Sequence, residues 1–392
     1  MRIGLVLPRP PGGSETFFRT KIRALQVAGH EVFLFPNAKG KAMEAVPTHR
    51  APQLAGPAGL RLFQLMLGVL LLFIRAPGSA IRFWRLERKA GRIPARAFQN
   101  LYLNSHILPH RLDWLHFGFA TMSIHREHTG AAIGARVGVS LRGYDLHQFP
   151  LKQPKAYHLF WQQADRIHTL SDALTSRARQ LGLPRQTSLV RIPPAVDTHF
   201  FRRENPEPEF RNPCRMLTLA RVHWVKGMEC TLEALALLKA AGVAFRYKIV
   251  GAGGDYERLV FAVHQLGLQD EVTIQSPVPH RAVASEMEGA DIYLQYSLQE
   301  GFGNAVLEAQ AMGLLCIVSD AGGLPENVLD GQTGWVVPRR CPRHLARRIQ
   351  EVVQMPREQR ELVQQRAIRR VREAFSFEHH RRQWNAFFTD EL

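Results

Sequence analysis

The stretch MRIGLVLPRPPGGSETFFRTKIRALQVAGHEVFLF (1–35) decides the fold that the sequence predicts. Residues 2–8 form an apolar run typical of a buried parallel strand, and Gly12 and Gly13 follow it in a turn. A segment with helical spacing comes next, and 31–35 is a second apolar strand. Strand, glycine turn, helix and strand in this order open a doubly wound sheet.

The same alternation of strands and helices fills the rest of the chain and divides it in two. It predicts an α/β protein of two Rossmann-like doubly wound domains. A stretch with three prolines and three glutamates separates the two halves and is typical of a linker. The predicted order is an N-terminal domain, a linker, a C-terminal domain and C-terminal helices that return to the first domain, at 1–200, 201–213, 214–365 and 366–392.

Charge and cysteine content narrow the class of protein. The 392-residue chain has a formal net charge of +17, which favours anionic partners such as nucleic acid, anionic lipid or phosphorylated substrates. It has no helix-turn-helix, RNA-binding or zinc motif, so we expect no nucleic-acid partner and keep nucleic-acid binding only as an alternative function. The four cysteines form no Cys-x-x-Cys pair, and proline soon interrupts the apolar N-terminus, so we expect a cytoplasmic chain without a secretory signal.

The strongest apolar run of the sequence lies at 62–74 and is bounded by arginines. As a helix it would be about 20 Å long, short of a bilayer core of about 30 Å, so we expect no membrane-spanning helix. Basic residues interleaved with Phe83 and Trp84 follow it. We favour peripheral contact of residues 61–96 with the anionic inner face of the cytoplasmic membrane. The alternative is a core helix followed by a solvated basic helix.

The segment QEGFGNAVLEAQAMG (299–313) carries the most chemistry. Glu300 follows an apolar strand in a glycine turn, and Glu308 lies eight residues later in the next helix. Gly301 and Gly303 let the backbone approach a ligand closely, and free N–H groups at the helix start can bind an anion. Glu308 can accept hydrogen bonds from sugar or ribose hydroxyls. The residues alone equally fit an ordinary strand-turn-helix with one solvated and one capping glutamate.

This segment and its continuation GGLPENVLDGQTGWVVP (322–338) resemble the Glu-x7-Glu signature of retaining glycosyltransferase family four. Members have the GT-B fold, in which two Rossmann-like domains face each other across a cleft. The resemblance covers nearly the whole chain, most strongly 215–338 and most weakly 40–110. It implies sugar transfer with retention from a nucleotide-diphosphate donor to a saccharide or lipid-linked acceptor, in surface polysaccharide or lipopolysaccharide assembly. Glu300 would contact the sugar and Glu308 the ribose.

Two further segments resemble donor-binding elements of that family, LARVHWVKGME (219–229) and PRPPGGSETFF (8–18). The first implies that Arg221 and Lys226 bind the donor diphosphate. A departing diphosphate gathers negative charge, which cations and a helix N-terminus can stabilise. The remaining residues implied at the donor diphosphate are Gly12, Gly13, Gly301, Phe302, Gly303 and Asn304.

The glycine-rich segment KIVGAGGDYERL (248–259) is similar to another element of the family, which places Gly251 and Gly253 at the nucleotide. It lacks the GxGxxG spacing, and this argues against NAD binding. Another nucleotide-binding Rossmann enzyme, such as a nucleotide-sugar epimerase or a dehydrogenase, is the second alternative function. No Asp-x-Asp occurs in the chain. We therefore expect a nucleotide-sugar co-substrate with no cofactor and no metal, and basic side chains as the counter-charge.

In the first domain, HFGF (116–119) and VSLRGYDL (139–146) resemble strand-end loops that reach the ligands. The residues implied to face the acceptor or the sugar are His116, Arg142 and Asp145. Many family members have His where this chain has Arg142. An arginine there can bind an acidic acceptor or simply pair with Asp145.

Overall fold

A computed structural model describes residues 1–12, 16–40, 43, 46–203 and 210–389. The chain forms two units. Unit 1 comprises Met1–Thr169, Leu174–Ile192 and Arg381–Leu392, and unit 2 comprises Leu170–Ala173 and Pro193–His380.

Unit 1 is built on a six-stranded parallel sheet. Its strands are β1 (Arg2–Leu7), β2 (Glu31–Pro36), β3 (Trp114–Phe117), β4 (Arg136–Ser140), β5 (Arg166–Thr169) and β6 (Ser188–Arg191). The strand order is β2-β1-β3-β4-β5-β6, and the register places Ile3 beside both Val32 and Trp114. The apolar runs of the sequence form these strands because both faces of a parallel sheet are covered by helices.

The helices of unit 1 include a group of three that follows β2 without an intervening strand. They are α1 (Thr16–Val27), α2 (Ala58–Arg75), α3 (Pro77–Lys89), α4 (Pro94–Asn104), α5 (Thr129–Ile133), α6 (Gly143–His147), α7 (Phe149–Lys152), α8 (His158–Trp161) and α9 (Asp172–Gln180), whose first two residues belong to unit 2. Helices α2, α3 and α4 pack against one another around buried Leu72, Phe83 and Leu101. This group corresponds to the part of the sequence that least resembles the family.

Unit 2 repeats the parallel architecture. Its strands are β7 (Cys214–Leu219), β8 (Phe245–Val250), β9 (Val272–Gln275), β10 (Ile292–Gln295), β11 (Leu315–Ser319) and β12 (Trp335–Val337), in the order β12-β11-β10-β7-β8-β9. Its helices are α10 (Met228–Ala240), α11 (Tyr256–Gln265), α12 (His280–Glu288), α13 (Asn304–Ala311), α14 (Leu324–Asn327), α15 (Pro342–Val353), α16 (Arg357–Ala374) and α17 (Phe377–Thr389), whose last part belongs to unit 1.

The predicted fold class is confirmed, since two doubly wound parallel sheets are present. Apart from the short stretch 170–173, which groups with unit 2, the chain passes between the units at 192–193 and again at 380–381, whereas the sequence placed these passages in the linker 201–213 and at 366. Part of that linker, 204–209, lies outside the described residues. All four cysteines are free.

The second passage falls inside α17 because the two ends of this helix pack on different units. Trp384, Phe387 and Phe388 are buried in the core of unit 1, where Phe388 meets Trp114 edge to face with ring centroids 5.4 Å apart. The helix before it, α16, packs on α13 and stays in unit 2.

The sheet of unit 2 has its topological switch point between β7 and β10. From β7 the chain continues outward on one side to β8 and β9, and it then returns to build β10, β11 and β12 on the other side. Loops that leave two such neighbouring strands diverge and open a crevice at the carboxyl edge of the sheet, where ligands bind in open α/β sheets. The loops after β7 and β10 are therefore the first place to search for a site.

Candidate functional site

The loops that follow β7 and β10 are in direct backbone contact. A short 3-10 helix, Trp224–Lys226, ends at Gly227, which has φ +62°. A Cβ atom on this glycine would lie 2.1 Å from the carbonyl oxygen of Tyr296, and the Leu298 N–H donates to the Val225 carbonyl at 2.8 Å. Only glycine allows this approach, which fixes the position of Lys226 relative to the loop after β10.

Lys226 and Glu300 form an ion pair at the switch point. The Lys226 Nζ donates to Glu300 Oε2, and each side chain is 16% exposed. The Glu300 carboxylate also accepts from Ser297 Oγ at 3.3 Å and from the Gly301 N–H at 3.2 Å. The two predicted residues are thus brought together although they lie 74 positions apart in the sequence. An anionic ligand that reaches Lys226 would compete with Glu300 for its charge.

The start of α13 lies directly after this carboxylate. Gly303, with φ +88°, precedes Asn304, and no side chain caps the first amides of the helix. Buried Asn327 fixes the approach to the helix, since its Nδ2 donates to the carbonyls of Phe302 at 2.8 Å and Gly303 at 2.9 Å. An uncapped helix N-terminus of this kind binds anions. Phe302 itself is buried, so its side chain is not available to a ligand.

Glu308 lies one turn into α13 and is half-buried. Burial raises the pKa of its carboxyl to about 8, because a charged carboxylate is poorly solvated there. No cation compensates Glu308 among the ion pairs of the described residues. Its carboxyl is therefore partly protonated near neutral pH, and a ligand with hydroxyl groups would supply the hydrogen bonds that its ionised form lacks.

Gly251 and Gly253 bring the loop after β8 against the loop after β7. A Cβ on Gly251 would lie 1.8 Å from the Ala220 carbonyl oxygen, and one on Gly253 would lie 1.8 Å from that of Val222. Between these two contacts lies Arg221, whose side chain is exposed. The two predicted glycines are thus placed beside Arg221, and their absent side chains are required by protein packing alone.

The loop after β11 completes the arrangement through two glycines that sequence reasoning did not single out. A Cβ on Gly322 would lie 1.9 Å from the Glu300 carbonyl oxygen, and one on Gly323 would lie 2.3 Å from that of Gly301. Together with Ser297 and Asn327, they hold the Glu300 turn in place. In the sequence, their position at the end of a strand and within the stretch 322–338 could have identified them.

In unit 1, the side chain of Asp145 is fully buried and caps the start of α6. Its carboxylate accepts from the Thr121 N–H at 3.2 Å, from Thr121 Oγ1 at 3.1 Å and from the Arg142 N–H at 3.0 Å. Burial raises the pKa of Asp145 to about 6, and these hydrogen bonds oppose the rise. The prediction that its side chain faces a ligand is therefore wrong, because the carboxylate is enclosed by its own helix start and neighbouring turn.

Arg142 lies at the start of α6 and is half-buried. Its guanidinium lies over the Phe17 ring, 4.3 Å from the centroid, and burial lowers its pKa to about 10. A stacked guanidinium keeps donors at its edge, so binding of an acidic acceptor stays a prediction. Gly12 is described and leaves open space where a Cβ would stand. Gly13 lies outside the described residues.

His116 is not at a strand-end loop but inside β3. It is fully buried, with its Nε2 2.9 Å from Ser140 Oγ and its ring edge-to-face with Trp384 at 5.6 Å. Burial lowers its pKa well below the ordinary value, and Lys21 adds to the effect. The prediction that His116 faces the sugar is wrong, because α17 covers it with aromatic rings from a distant part of the sequence.

Within the described ranges, no three His, Cys, Asp or Glu side chains come close enough together to hold a metal ion. The loop after β7 carries Arg221 and Lys226, and α13 begins after the loop that follows β10.

Comparison with known proteins finds similarity to glycosyltransferases. Residues 200–370 match the family described as glycosyl transferases group 1. The chain is 27% identical over 404 residues to WcaL of Salmonella typhimurium, a glycosyltransferase named for colanic acid biosynthesis, with 96% of each chain covered. It is 33% identical over 132 residues to the amylovoran biosynthesis glycosyltransferase AmsK of Erwinia amylovora, with 32% of each chain covered.

Among solved structures, the chain is similar to Anabaena HepE in complex with UDP-glucose. The TM-score is 0.73 at 16% identity, and 99% of each chain is covered. At this identity the likeness establishes the shared fold of the two proteins.

Proposed function

We propose that this chain is a group 1 glycosyltransferase that uses a nucleotide-diphosphate sugar and transfers the sugar with retention to a saccharide or lipid-linked acceptor. The observation that carries this proposal is the Lys226–Glu300 pair at the switch point of unit 2, directly before the uncapped start of α13. A cation, a carboxylate and a helix N-terminus together suit a ligand with one anionic end and one hydroxyl-rich end.

The donor diphosphate would bind to Lys226, Arg221 and the first amides of α13. As the sugar bond breaks, negative charge builds up on the leaving phosphate oxygen, and charges already placed there stabilise it. Glu308 would accept hydrogen bonds from the ribose hydroxyls. These cationic groups supply the counter-charge that a metal would otherwise provide, so we propose transfer that persists in the presence of a chelator.

Glu300 would face the sugar and stabilise positive charge that develops at the anomeric carbon. Its carboxylate suits either a covalent or a front-face route, and we propose the front-face one. In that route the bond from the anomeric carbon to the phosphate oxygen breaks as the bond to the acceptor oxygen forms. The acceptor hydroxyl gives its proton to the departing diphosphate.

The names of two relatives support the proposed class of acceptor. WcaL and AmsK are named for colanic acid and amylovoran biosynthesis, and this supports a role in surface polysaccharide or lipopolysaccharide assembly. Such acceptors are often lipid-linked, and the basic, apolar segment 61–96 would suit a peripheral position on the inner face of the cytoplasmic membrane.

Calorimetric titration with a panel of nucleotide sugars that includes UDP-glucose and GDP-mannose tests the proposal. Lys226→Ala or Glu308→Ala should weaken binding of the preferred donor tenfold or more, which is about 1.4 kcal/mol. Lys248→Ala is the matched control, since Lys248 forms an ion pair with Glu286 at 2.6 Å elsewhere in unit 2. Unchanged donor affinity in both site variants would contradict the assignment.

A further inference from the structure

Helix α2 exposes an apolar surface that is unusual for a folded protein. It is the one helix of the described residues that is long and apolar enough to cross a membrane, with a mean hydropathy of 1.7. Its exposed large apolar side chains are Leu60, Leu62, Phe63, Met66, Leu67, Leu70, Leu71, Phe73 and Ile74. Contiguous apolar patches of this kind mark a surface that meets a partner or a membrane.

One narrow stripe of α2 is attached to the rest of unit 1. Val69 and Leu72 are buried in the same cluster as Phe83 of α3 and Leu101 of α4. Gly68 makes this packing possible, because a Cβ there would lie 2.6 Å from a ring carbon of Tyr102. The helix is therefore held on the surface of unit 1 through its middle and second half, while its first turns and the rest of its circumference stay exposed.

The surroundings of α2 are almost free of negative charge. Residues 46–112 contain ten arginines and lysines and a single acidic residue, Glu87. Glu87 is fully buried and accepts from Asn100 Nδ2 at 2.6 Å, so it adds no negative charge to the surface. Arg75, Arg85 and Lys89 are exposed. This combination of apolar and basic surface is complementary to a bilayer with anionic headgroups.

The packing excludes a spanning orientation. At about 1.5 Å per residue, the 18 residues of α2 are about 27 Å long, close to the thickness of a bilayer core. However, α3 begins only one residue after α2 ends, and the two helices pack side by side together with α4. A spanning α2 would carry the arginines of α3 into the hydrocarbon, which is costly.

We propose that α2 lies in the plane of an anionic bilayer, with its exposed apolar side chains in the headgroup and acyl boundary and the neighbouring arginines and lysine among the phosphates. The helix anchors unit 1 to one leaflet without crossing it. This deepens the peripheral location proposed above and rests on the proposed function only for the choice of the cytoplasmic leaflet.

Flotation with lipid vesicles tests the anchor in the full chain. Wild type should float with phosphatidylcholine vesicles that contain phosphatidylglycerol and much less with phosphatidylcholine alone. Phe63→Glu should lower the bound fraction by at least about tenfold, because it puts a charge into the apolar boundary. Phe261→Glu is the matched control, since Phe63 and Phe261 both lie on helices and are 60% and 61% exposed. Thermal unfolding and donor affinity, measured in parallel, should be the same in all three proteins.

Several outcomes would overturn the anchor. One is wild type that stays unbound with anionic vesicles, and another is equal loss of binding in Phe261→Glu. Resistance of the cell-membrane-bound chain to carbonate extraction would indicate a spanning helix instead. A dimer in vesicle-free solution that Phe63→Glu dissociates would identify a second copy as the occupant. Donor binding without vesicle binding would refute the anchor alone, whereas vesicle binding without donor binding would refute only the proposed function.

Discussion

The two units have similar sheets, but they differ in the exposure of the polar residues that the sequence singled out. In unit 1, Asp145 and His116 are fully buried and bonded within the protein. In unit 2, Lys226, Glu300 and Glu308 stay partly exposed at the carboxyl edge of the sheet. The same kind of motif resemblance suggested ligand contact in both units, but Asp145 and His116 are enclosed by protein, whereas the three residues of unit 2 stay accessible.

This difference distinguishes polar residues that stabilise the fold from polar residues that can bind a ligand. Asp145 has three donors around its carboxylate, so an incoming ligand would have to displace bonds that fix the helix start. Glu308 has a raised pKa and forms no ion pair within the part of the chain that the structure describes, so a ligand that donates hydrogen bonds would improve its surroundings. Buried polar groups with full partners stabilise the fold, whereas accessible groups with incomplete partners are candidates for binding.

The largest expected effect is on turnover at the switch point of unit 2. Lys226→Ala removes the cation that would face the departing diphosphate and should lower kcat/KM by about 100- to 1,000-fold. Steady-state kinetics with the preferred nucleotide sugar measures it. Lys248→Ala should keep kcat/KM within about threefold, because its ion pair with Glu286 only links β8 to α12. Equal losses of kcat/KM in the two variants would show that Lys226 contributes no more than a lysine outside the site.

A smaller effect is expected from the pH dependence of donor binding. The pKa of Glu308 lies at about 8, and the form that accepts two hydroxyl donors is the ionised one. Donor affinity should therefore rise by up to about tenfold per pH unit between pH 6 and 8 and level off above. Calorimetry in two buffers of different ionisation enthalpy should show proton release on binding.

Glu308→Gln provides the control for this pH profile. It cannot titrate, so its donor affinity should be nearly constant over the same range. A wild-type affinity that is flat from pH 6 to 9, or a slope that persists in Glu308→Gln, would assign the titration to another group and weaken the comparison.

In unit 1 we expect a substitution to lower the unfolding free energy and to leave donor binding unchanged. Asp145→Ala leaves the N–H groups of Thr121 and Arg142 without their buried acceptor and should cost about 2 kcal/mol of unfolding free energy. Chemical denaturation measures the loss, and donor titration of the folded variant should give an unchanged Kd. A stable variant with weakened donor binding would show that Asp145 takes part in donor binding.

The smallest effect is expected at His116. His116→Phe places an apolar ring among Trp384, Phe387 and Phe388, which already surround the imidazole. Because the side chain reaches no ligand, kcat/KM should stay within about threefold. A loss beyond tenfold in a variant that melts like wild type would show that the histidine acts on the reaction.

Much of the fold could be predicted from local patterns. The apolar runs at 2–8 and 31–35 located β1 and β2, since a strand buried on both faces must be apolar throughout. The three-residue β12 was missed because so short a run has no distinct pattern. Helix α2 begins at Ala58, four residues before the apolar run, because flanking small and basic residues also adopt helix.

The site could be predicted only in part. Glu300 and Glu308 share one continuous segment, and its resemblance to a known signature named both residues. The Lys226–Glu300 contact joins two loops, and its sequence signal was the separate resemblance of each loop. The burial of His116 depends on α17, more than 250 positions later, and nothing in HFGF indicates it.

A crystal structure of the chain with a bound nucleoside diphosphate tests the central claim most directly. The account predicts the diphosphate within hydrogen-bonding distance of Lys226 Nζ and the Asn304 N–H, with a ribose hydroxyl on the Glu308 carboxylate. A nucleotide bound elsewhere, with Lys226 still paired to Glu300 and Glu308 without a ligand partner, would contradict it.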